Sequence, residues 1–392
     1  MTIVHISTDY PDIFVPAKTH AIKNLMDVAS GDYAQFIYSL NRINISLGSA
    51  SLAALKGWKI DEVDSGQDGI ACLTYTAPSK GLFLKSVMTA IARHIVRDIQ
   101  VRGIKPTLIQ GHKLSMEGII AYHVAQALQV PFALSVQGNS DRTILNVRRD
   151  LWPLYRKIFH EAAIIFPFTP WALKYLESVL GKRVPPTVML PCITGQDVII
   201  EPRNTKPVIV SAFHLRHWRL KNLPALIAAA VHMQSANPDF ELHIIGGGEA
   251  EHIAEVEGQI AKSGVTNIRL LGAIPHDQIQ KVMNRAAGLA MLSHRESFGM
   301  VFVEALLAGC PVLYPEDAAI DGYFDDNGFA IAVPANNQAA INKAFEKLVR
   351  DNAALKEELQ VWQHGEGASF FQKKQIAASY IAGLNAATSR DN

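Results

Sequence analysis

Two glutamates, Glu296 and Glu304, interrupt a stretch that is otherwise typical of a buried helix running into a strand. Apolar residues at helical spacing predict a helix over about residues 297–308, and Gly309 followed by Pro311 would end it. The remaining faces of this helix are also apolar, which indicates that it is buried. Because a buried carboxylate needs a partner, both glutamates are candidates for binding or catalytic chemistry.

The spacing of the two carboxylates favours an elongated ligand. Eight residues of helix would place them about 12 Å apart and within about 80° of the same face. This distance exceeds the roughly 5–9.5 Å between the two carboxyl groups of a glycosidase, so hydrolysis by a carboxylate pair fits poorly. Between them, the helix start at Ser297, Phe298, Gly299 and Met300 would offer free N–H groups and a positive dipole end to phosphate. A nucleotide sugar has this layout. The alternative is that Glu296 is a loop residue and that Glu304 is a structural carboxylate on the helix, which pairs with a nearby Arg or Lys.

A basic segment, His214-Leu-Arg-His-Trp-Arg-Leu-Lys-Asn222, follows a predicted strand. Cations placed there would stabilise the negative charge that grows on a departing diphosphate, without a metal ion. Two other interpretations remain open. One is a solvated basic loop, and the other is a metal site at His214 and His217, which lacks a nearby carboxylate or third ligand.

A glycine loop at Gly246, Gly247 and Gly248 follows the next predicted strand and would let a donor approach the backbone. The loop lacks the G-x-G-x-x-G spacing, which argues against a dinucleotide dehydrogenase. A bare strand-to-helix turn explains the glycines equally well.

Short β-rich runs alternate with helical patterns along the chain, which predicts an α/β fold with parallel sheets covered by helices on both faces. The predicted strands are 2–7, 35–40, 69–75, 107–111, 132–136, 163–168, 207–213, 240–245, 267–271, 288–292 and 329–333.

Pro-rich and turn-rich segments at 184–195 and 201–207 predict a domain boundary near residue 200. The domains would be 1–200 and 201–392, with the option that a last helix at about 369–386 packs back on the first domain. Open α/β sheets bind ligands at the carboxyl ends of their strands, so a cleft between the domains is the default site.

The block from Gly272 onward resembles the carboxy-terminal half of the retaining GT-B glycosyltransferases of family 4. It has the Gly-x-Ile-Pro turn that contains Ile274, the Glu-x-Phe-Gly core and the eight-residue step from Glu296 to Glu304. The resemblance implies the GT-B fold, in which two Rossmann-like domains face each other across a cleft. The carboxy-terminal domain would bind the donor and the amino-terminal domain the acceptor.

The same resemblance implies roles for individual residues. Glu296 would contact hydroxyls of the donor sugar, and Glu304 the ribose of the nucleotide. The family places an Arg and, about five residues later, a Lys before Gly in the basic segment, which selects Arg216 and Lys221 as catalytic; Asn222 replaces the Gly, and Arg219 competes for the arginine role. The implied donor-binding residues besides Glu304 are Ser297, Phe298, Gly299, Met300, Gly246, Gly247 and Ile274.

The amino-terminal half resembles the family more loosely. Its acceptor-cleft candidates are His20, His112 and Gln137, although a lone histidine is more often structural than catalytic. Gln137 stands where many relatives have His, and the loop at residues 15–20 lacks the Gly pair often found there.

Composition limits the other classes of function. With 392 residues, 49% of them hydrophobic, the chain can bury a large core. Its three cysteines lack metal-ligand spacing and are expected to be free thiols in a reducing compartment. No run of 18 apolar residues occurs and no leader is visible, so a cytoplasmic location is expected. A net charge of only +1 argues against nucleic acid as a partner.

Basic residues alternate with an apolar stripe at 79–97 and again at 148–157. Both segments suit an anionic membrane surface, but ordinary helices packed on the sheet explain them as well. Residues 1–200 hold 20 Lys and Arg against 15 Asp and Glu, an excess that favours membrane contact.

Taken together, the residues and the resemblance predict a glycosyltransferase that needs no cofactor. The resemblance implies that it is retaining and metal-independent. It would move a sugar from a UDP- or GDP-sugar to a glycan or lipid-linked acceptor in bacterial surface polysaccharide synthesis, at the inner face of the membrane. Two alternatives remain: a non-catalytic nucleotide-sugar-binding subunit of a glycan assembly complex, and another GT-B enzyme such as a nucleotide-sugar epimerase.

Overall fold

Two separate β-sheets organise the chain. The computed structural model describes residues 1–79, 81–203 and 206–389. One unit consists of Met1–Cys192 and Ile376–Asn392, and the other of Ile193–Gln375. The sequence-based boundary lay near residue 200. Asn204 and Thr205 of the predicted boundary segment, and Lys80 of the first amphipathic segment, lie outside the described residues.

The first unit holds a seven-stranded sheet in the order β3-β4-β2-β1-β5-β6-β7. Its strands are β1 (Thr2–Ser7), β2 (Ala34–Asn44), β3 (Ile60–Asp64), β4 (Ile70–Ala77), β5 (Leu108–Gly111), β6 (Phe132–Val136) and β7 (Ile164–Pro167). The predicted parallel pairing has one exception here, because β3 pairs antiparallel with β4. The sequence Ile-Asp-Glu-Val-Asp of β3 is mostly exposed, as an edge strand can be, and so lacks a core-strand pattern.

The helices of the first unit are α1 (Ala21–Ala29), α2 (Leu47–Lys56), α3 (Leu84–Val101), α4 (Glu117–Leu128), α5 (Asn139–Val147), α6 (Trp152–Glu161) and α7 (Pro170–Leu180). Apolar side chains of α3 to α7 belong to the hydrophobic core, whereas the leucines of α2 are exposed. The apolar stripes predicted at 79–97 and 148–157 are buried in α3 and α6, so they are not free to lie on a membrane. In the part of the chain that is described, no helix is both long and apolar enough to cross a bilayer.

The second unit holds a six-stranded, wholly parallel sheet in the order β10-β9-β8-β11-β12-β13. Its strands are β8 (Val208–Ala212), β9 (Glu241–Ile245), β10 (Ile268–Gly272), β11 (Gly288–Ala290), β12 (Val312–Pro315) and β13 (Ala330–Val333). Its helices are α8 (Leu223–Ala236), α9 (Ala250–Ser263), α10 (His276–Asn284), α11 (Met300–Leu307), α12 (Gln338–Arg350), α13 (Asn352–His364) and α14 (Glu366–Ser369).

The last helix, α15 (Lys373–Thr388), packs on the first unit. The Tyr380 hydroxyl donates a 2.6 Å hydrogen bond to Gln110 Oε1, and the Tyr380 ring lies edge-on against Phe166. Gly383 is required at this contact, because a Cβ there would lie 2.6 Å from the Phe166 ring. Helix α15 therefore packs against the sheet that contains β1.

Candidate functional site

The strand order of the second sheet locates a crevice. The chain runs outward from β8 to β10 and then returns to the other side of β8 as β11. Ligands of open α/β sheets bind outside the carboxyl ends of the strands at such a reversal. The loops that follow β8 and β11 are the basic segment and the segment that carries Glu296, so this topology brings the two predicted motifs to one place.

Lys221 and Glu296 form an ion pair at this place. Lys221 Nζ lies 2.6 Å from Glu296 Oε2, and each side chain is about one-sixth exposed, at 18% and 16%. The backbone N–H of His294 donates to the carbonyl of Leu220, which joins the two loops, and Ser293 Oγ lies 3.3 Å from the same Glu296 oxygen. An accessible cation and an accessible carboxylate are thus held side by side.

The two arginines of the basic segment have different surroundings. Arg219 stacks over the Trp218 ring, 4.1 Å from its centroid, and pairs with Glu255 at 3.2 Å. Arg216 is exposed, and its Nε donates to His217 Nε2 at 2.9 Å. Among the described residues, no carboxylate pairs with Arg216. The arrangement favours Arg216 over Arg219 as the cation available to a diphosphate.

Helix α11 begins at Met300, so the predicted start at residue 297 is wrong. Gly299 precedes it with φ 72°, and a Cβ there would lie 2.6 Å from the Phe302 ring and 3.1 Å from Glu296 Cγ. This left-handed glycine turns the chain before the helix. Glu296 is therefore a loop residue, as the alternative allowed, and the helical arithmetic that separated the two carboxylates by about 12 Å does not apply. Ser297 and Phe298 belong to the same turn, and Phe298 is buried.

Glu304 lies on α11 and is almost completely buried, with 7% of its side chain exposed. Its Oε1 accepts a hydrogen bond from the backbone N–H of Gly195 and lies 3.6 Å from His276 Nε2. Burial raises the pKa of the Glu304 carboxyl above its ordinary value, although His276 acts in the opposite direction. The partners of the Glu304 carboxylate are thus a histidine and a backbone amide. The structural alternative from the sequence had expected an Arg or a Lys.

Three residues around Glu304 had no signal in the sequence. Gly195 lets His276 approach, because a Cβ at Gly195 would lie 2.3 Å from His276 Nε2. Gln280, on α10, donates to the carbonyls of Gln196, Val198 and Glu304. These contacts hold residues 195–198, at the beginning of the second unit, against α10 and α11.

Glu304 gives the protein a testable pH dependence. A folded-state pKa above the unfolded value of about 4.5 means that the folded protein holds more protons in the window between the two. The free energy of unfolding should therefore fall as the pH rises through this window, and Glu304→Gln should lose that part of the fall. Urea denaturation of both proteins from pH 4 to pH 8 measures the difference, with exposed Glu257→Gln as control. Parallel profiles for wild type and Glu304→Gln would contradict the assignment.

The glycine loop is explained first by packing. A Cβ on Gly246 would lie only 1.8 Å from the carbonyl oxygen of Phe213, and the Gly246 N–H donates to the carbonyl of Gly272. The Gly247 carbonyl accepts from the N–H of Leu215. These contacts hold the glycine loop against the loop after β8. Ile274 is half-buried in the turn between β10 and α10.

Substitution of Gly246 should therefore be costly. We expect Gly246→Ala to lower the free energy of unfolding by at least about 2 kcal/mol, because backbone must move to make room. Gly258→Ala, at a helix position where a Cβ would meet no atom within 4 Å, should raise it by about 0.5–1 kcal/mol. Chemical denaturation of the two variants tests this, and equal stabilities would refute the packing argument.

The predicted acceptor residues of the first unit lie in different environments. His112 is fully buried, stacks on His5, and its Nδ1 lies 3.2 Å from Ser135 Oγ. Burial lowers the pKa of both histidines, that of His5 to about 3, so both are neutral. Gln137 Nε2 donates to the His112 carbonyl, and His20 is exposed just before α1. His112 therefore has a structural role, which is the usual one for a lone histidine.

A polar crevice in the first unit was not predicted. Asp12 accepts hydrogen bonds from Lys18, Ser39 and Asn41. Burial would raise its pKa, but these donors outweigh burial and lower the pKa to about 2. Thr8, Asp9, Lys18 and Asn41 help to line a space of about 570 Å³ after the end of β1 and beside the last residues of β2.

Comparisons with known proteins identify similar sequences and structures. Residues 196–363 match the family described as Glycosyl transferases group 1. D-inositol 3-phosphate glycosyltransferase of Corynebacterium kroppenstedtii is 32% identical over 149 residues, which are 36% of this chain and 33% of the relative. Phosphatidyl-myo-inositol mannosyltransferase of Mycobacterium leprae is 31% identical over 134 residues, 34% of each protein. The chain thus spans about a third of the length of these relatives.

A glycosyltransferase of Rickettsia africae is similar in structure over the whole chain. Its TM-score is 0.68 at 13% identity, and the match covers 100% of this chain and 99% of that one. This likeness and the two sheets confirm the predicted fold class, an α/β fold of the GT-B type with two Rossmann-like domains. The predicted enzyme class, a glycosyltransferase, is supported by the named relatives. The match to the glycosyl transferases group 1 family lies within the second unit, at residues 196–363.

Proposed function

We propose that the protein is a retaining glycosyltransferase whose nucleotide-sugar donor binds where β8 and β11 end. The observation that carries this proposal is the Lys221–Glu296 pair, at the point where the strand order reverses. The same basic segment holds Arg216, which pairs with no carboxylate among the described residues. A nucleoside diphosphate needs cations, and a sugar needs hydrogen-bond acceptors for its hydroxyls. The site offers both within one ion pair.

In the proposed reaction, Glu296 accepts hydrogen bonds from the donor sugar and orients it. Arg216 and Lys221 neutralise the diphosphate as the bond from the sugar carbon to the phosphate oxygen breaks and the diphosphate leaves with the bonding electrons. The acceptor oxygen attacks the same face of the sugar, and its proton passes to the departing phosphate oxygen. The chemistry needs no metal ion or cofactor, as the resemblance to family 4 implies.

Glu304 would bind the nucleotide ribose at the far end of the donor. Its burial and the raised pKa of its carboxyl suit a hydrogen-bonding role in an enclosed site better than a role as exposed countercharge. Backbone groups of Ser297, Gly299 and Met300 would meet the sugar and the diphosphate between the two glutamates.

The acceptor would bind to the first unit, in the polar crevice around Asp9, Lys18 and Asn41. A glycan or lipid-linked acceptor in surface polysaccharide synthesis is part of the proposal. The matched relatives are named for inositol phosphate and phosphatidyl-inositol acceptors, both anionic polyols. Contact with a membrane would use the exposed leucines of α2, Leu47, Leu52 and Leu55, since the stripes of α3 and α6 are buried.

Release of nucleoside diphosphate from a panel of uridine- and guanosine-linked sugars tests the proposal, with and without bacterial lipid extract and with Glu296→Ala as control. Release from one donor, stimulated by the extract and lost in the variant, is the expected result. Tight nucleotide binding with no release from any donor would instead support a binding subunit. A changed sugar configuration in the donor, with no acceptor present, would support an epimerase.

A further inference from the structure

An apolar cavity of about 340 Å³ lies in the first unit beside the beginning of α3. It is lined by side chains from α3, from α5 and from the loop before α4, chiefly Leu84, Val87, Met88, Met116, Ile144 and Val147. Cavities of this size hold small organic ligands and gain most of their affinity from apolar contact. A purely hydroxylated ligand would find few partners for its hydroxyls there and would lose its hydrogen bonds to water.

Two arginines, Arg42 and Arg148, also line the cavity, and they differ in their partners. Asp150 holds Arg148 with two hydrogen bonds, at 2.8 and 2.6 Å, and the Gly81 carbonyl accepts a further bond from it. Arg42 is exposed, and among the described residues no carboxylate pairs with it. One uncompensated positive charge therefore stands at an otherwise apolar opening.

The cavity adjoins the polar crevice of the same unit. Arg42, Tyr75 and Met116 line both spaces, while Asp9 and Lys18 line only the crevice. A ligand that passes Arg42 can therefore place a polar end in the crevice and an apolar end in the cavity. The rim is itself apolar, since Ile43 and Val147 are 49% and 63% exposed.

We infer that this cavity binds the hydrocarbon part of an amphiphilic acceptor that carries an anionic group, such as a phosphate, at Arg42. The inference rests on the proposed function, because the crevice is where the acceptor would receive the sugar. The polar end of the acceptor lies in the crevice and its hydrocarbon part lies among the α3 and α5 side chains. The site thus recognises apolar length and one negative charge together.

Calorimetric titration with n-alkyl phosphates of six to twelve carbons tests the inference directly. Each added methylene should strengthen binding about fourfold until the cavity is full, because burial of one methylene gives about 0.8 kcal/mol. Inorganic phosphate alone should bind far more weakly. Affinity that does not depend on chain length would overturn the inference.

Variants identify the site. Thr143→Trp and Val147→Trp, at exposed lining positions, should reduce alkyl phosphate affinity at least about tenfold, and exposed Val101→Trp should not. Arg42→Gln should weaken binding about tenfold, whereas Arg93→Gln, an equal change of charge on α3, should not. Circular dichroism of each variant confirms its folding. Unchanged affinity in both folded tryptophan variants would overturn the inference.

A further experiment identifies the source of the ligand. Binding to soluble alkyl phosphate is compared with binding to vesicles that contain phosphatidic acid, which distinguishes a free amphiphile from a lipid headgroup. Thr143→Trp should weaken binding to whichever source is used.

Nucleoside diphosphate release, measured in parallel, separates this inference from the proposed function. Release without chain-length-dependent binding would refute the cavity inference alone, whereas such binding without release from any donor would refute the proposed transferase and leave the binding site.

Discussion

Replacement of Glu296 by alanine is expected to reduce sugar transfer at least about 100-fold, because hydrogen bonds to a charged group contribute about 1.5–3 kcal/mol each and each of the two carboxylate oxygens would accept one from the sugar. Nucleotide affinity should change by no more than about threefold, because Glu296 is proposed to contact the sugar and not the nucleoside. The loss should therefore appear in kcat more than in the KM of the donor. Steady-state kinetics with the donor identified by the panel measures both.

Two controls make this result specific. Glu257→Ala removes an exposed carboxylate from α9 and should leave transfer unchanged. Glu296→Gln keeps the shape of the side chain but loses the ion pair with Lys221, so its activity should lie between those of wild type and Glu296→Ala. Wild-type transfer by Glu296→Ala would show that the carboxylate neither binds the sugar in the transition state nor is needed to position Lys221.

Arg216→Ala is expected to reduce transfer by about 10²–10³-fold, the usual effect of removing one donor that stabilises a developing negative charge. Arg219→Ala should reduce it by no more than about threefold, because Arg219 is already occupied by Glu255 and Trp218. The two arginines lie three residues apart in one loop, so each variant is a matched control for the other.

The same kinetic assay and a thermal melt of each variant test this pair. Arg219→Ala should lower stability slightly through loss of its stacking on Trp218, with transfer nearly intact. The reverse order of activities would contradict the choice of Arg216 and would require Glu255 to release Arg219 when the donor binds.

Much of the proposed donor site could be predicted from the sequence because its parts are local. Strand β8 and the basic segment after it are contiguous, as are the turn at Gly299 and helix α11. What periodicity could not give was the first residue of α11. The apolar pattern already begins at Phe298, but the left-handed Gly299 delays the start of the helix to Met300. Helix ends are the least certain part of predictions from periodicity.

Contacts between distant residues could not be read from local patterns. The carboxylate of Glu304 meets Gly195, 109 positions earlier, and its burial depends on that contact. In the first unit, the burial of His112 beside His5 and the gathering of Lys18 and Asn41 around Asp12 depend on the pairing of β1 with its two neighbours. Edge strand β3 was missed because its five residues, three of them acidic, do not alternate between apolar and polar.

For the amphipathic segments at 79–97 and 148–157, the sequence predicts the helices but not the surface that their apolar stripes contact. Their pattern correctly predicted helices, but the same apolar stripe suits a sheet and a membrane equally well. Only tertiary packing assigns the stripe of α3 to the core, and only tertiary packing leaves a cavity between α3 and α5.

Hydrogen–deuterium exchange of the protein with and without the nucleoside diphosphate identified by the donor panel tests the central claim most directly. The account predicts that the nucleotide slows amide exchange in residues 213–222 and 291–300 of the second unit, and that Arg216→Ala weakens this protection. Protection confined to the first unit, or saturating nucleotide binding with unchanged exchange in both loops, would contradict the placement of the donor at the ends of β8 and β11.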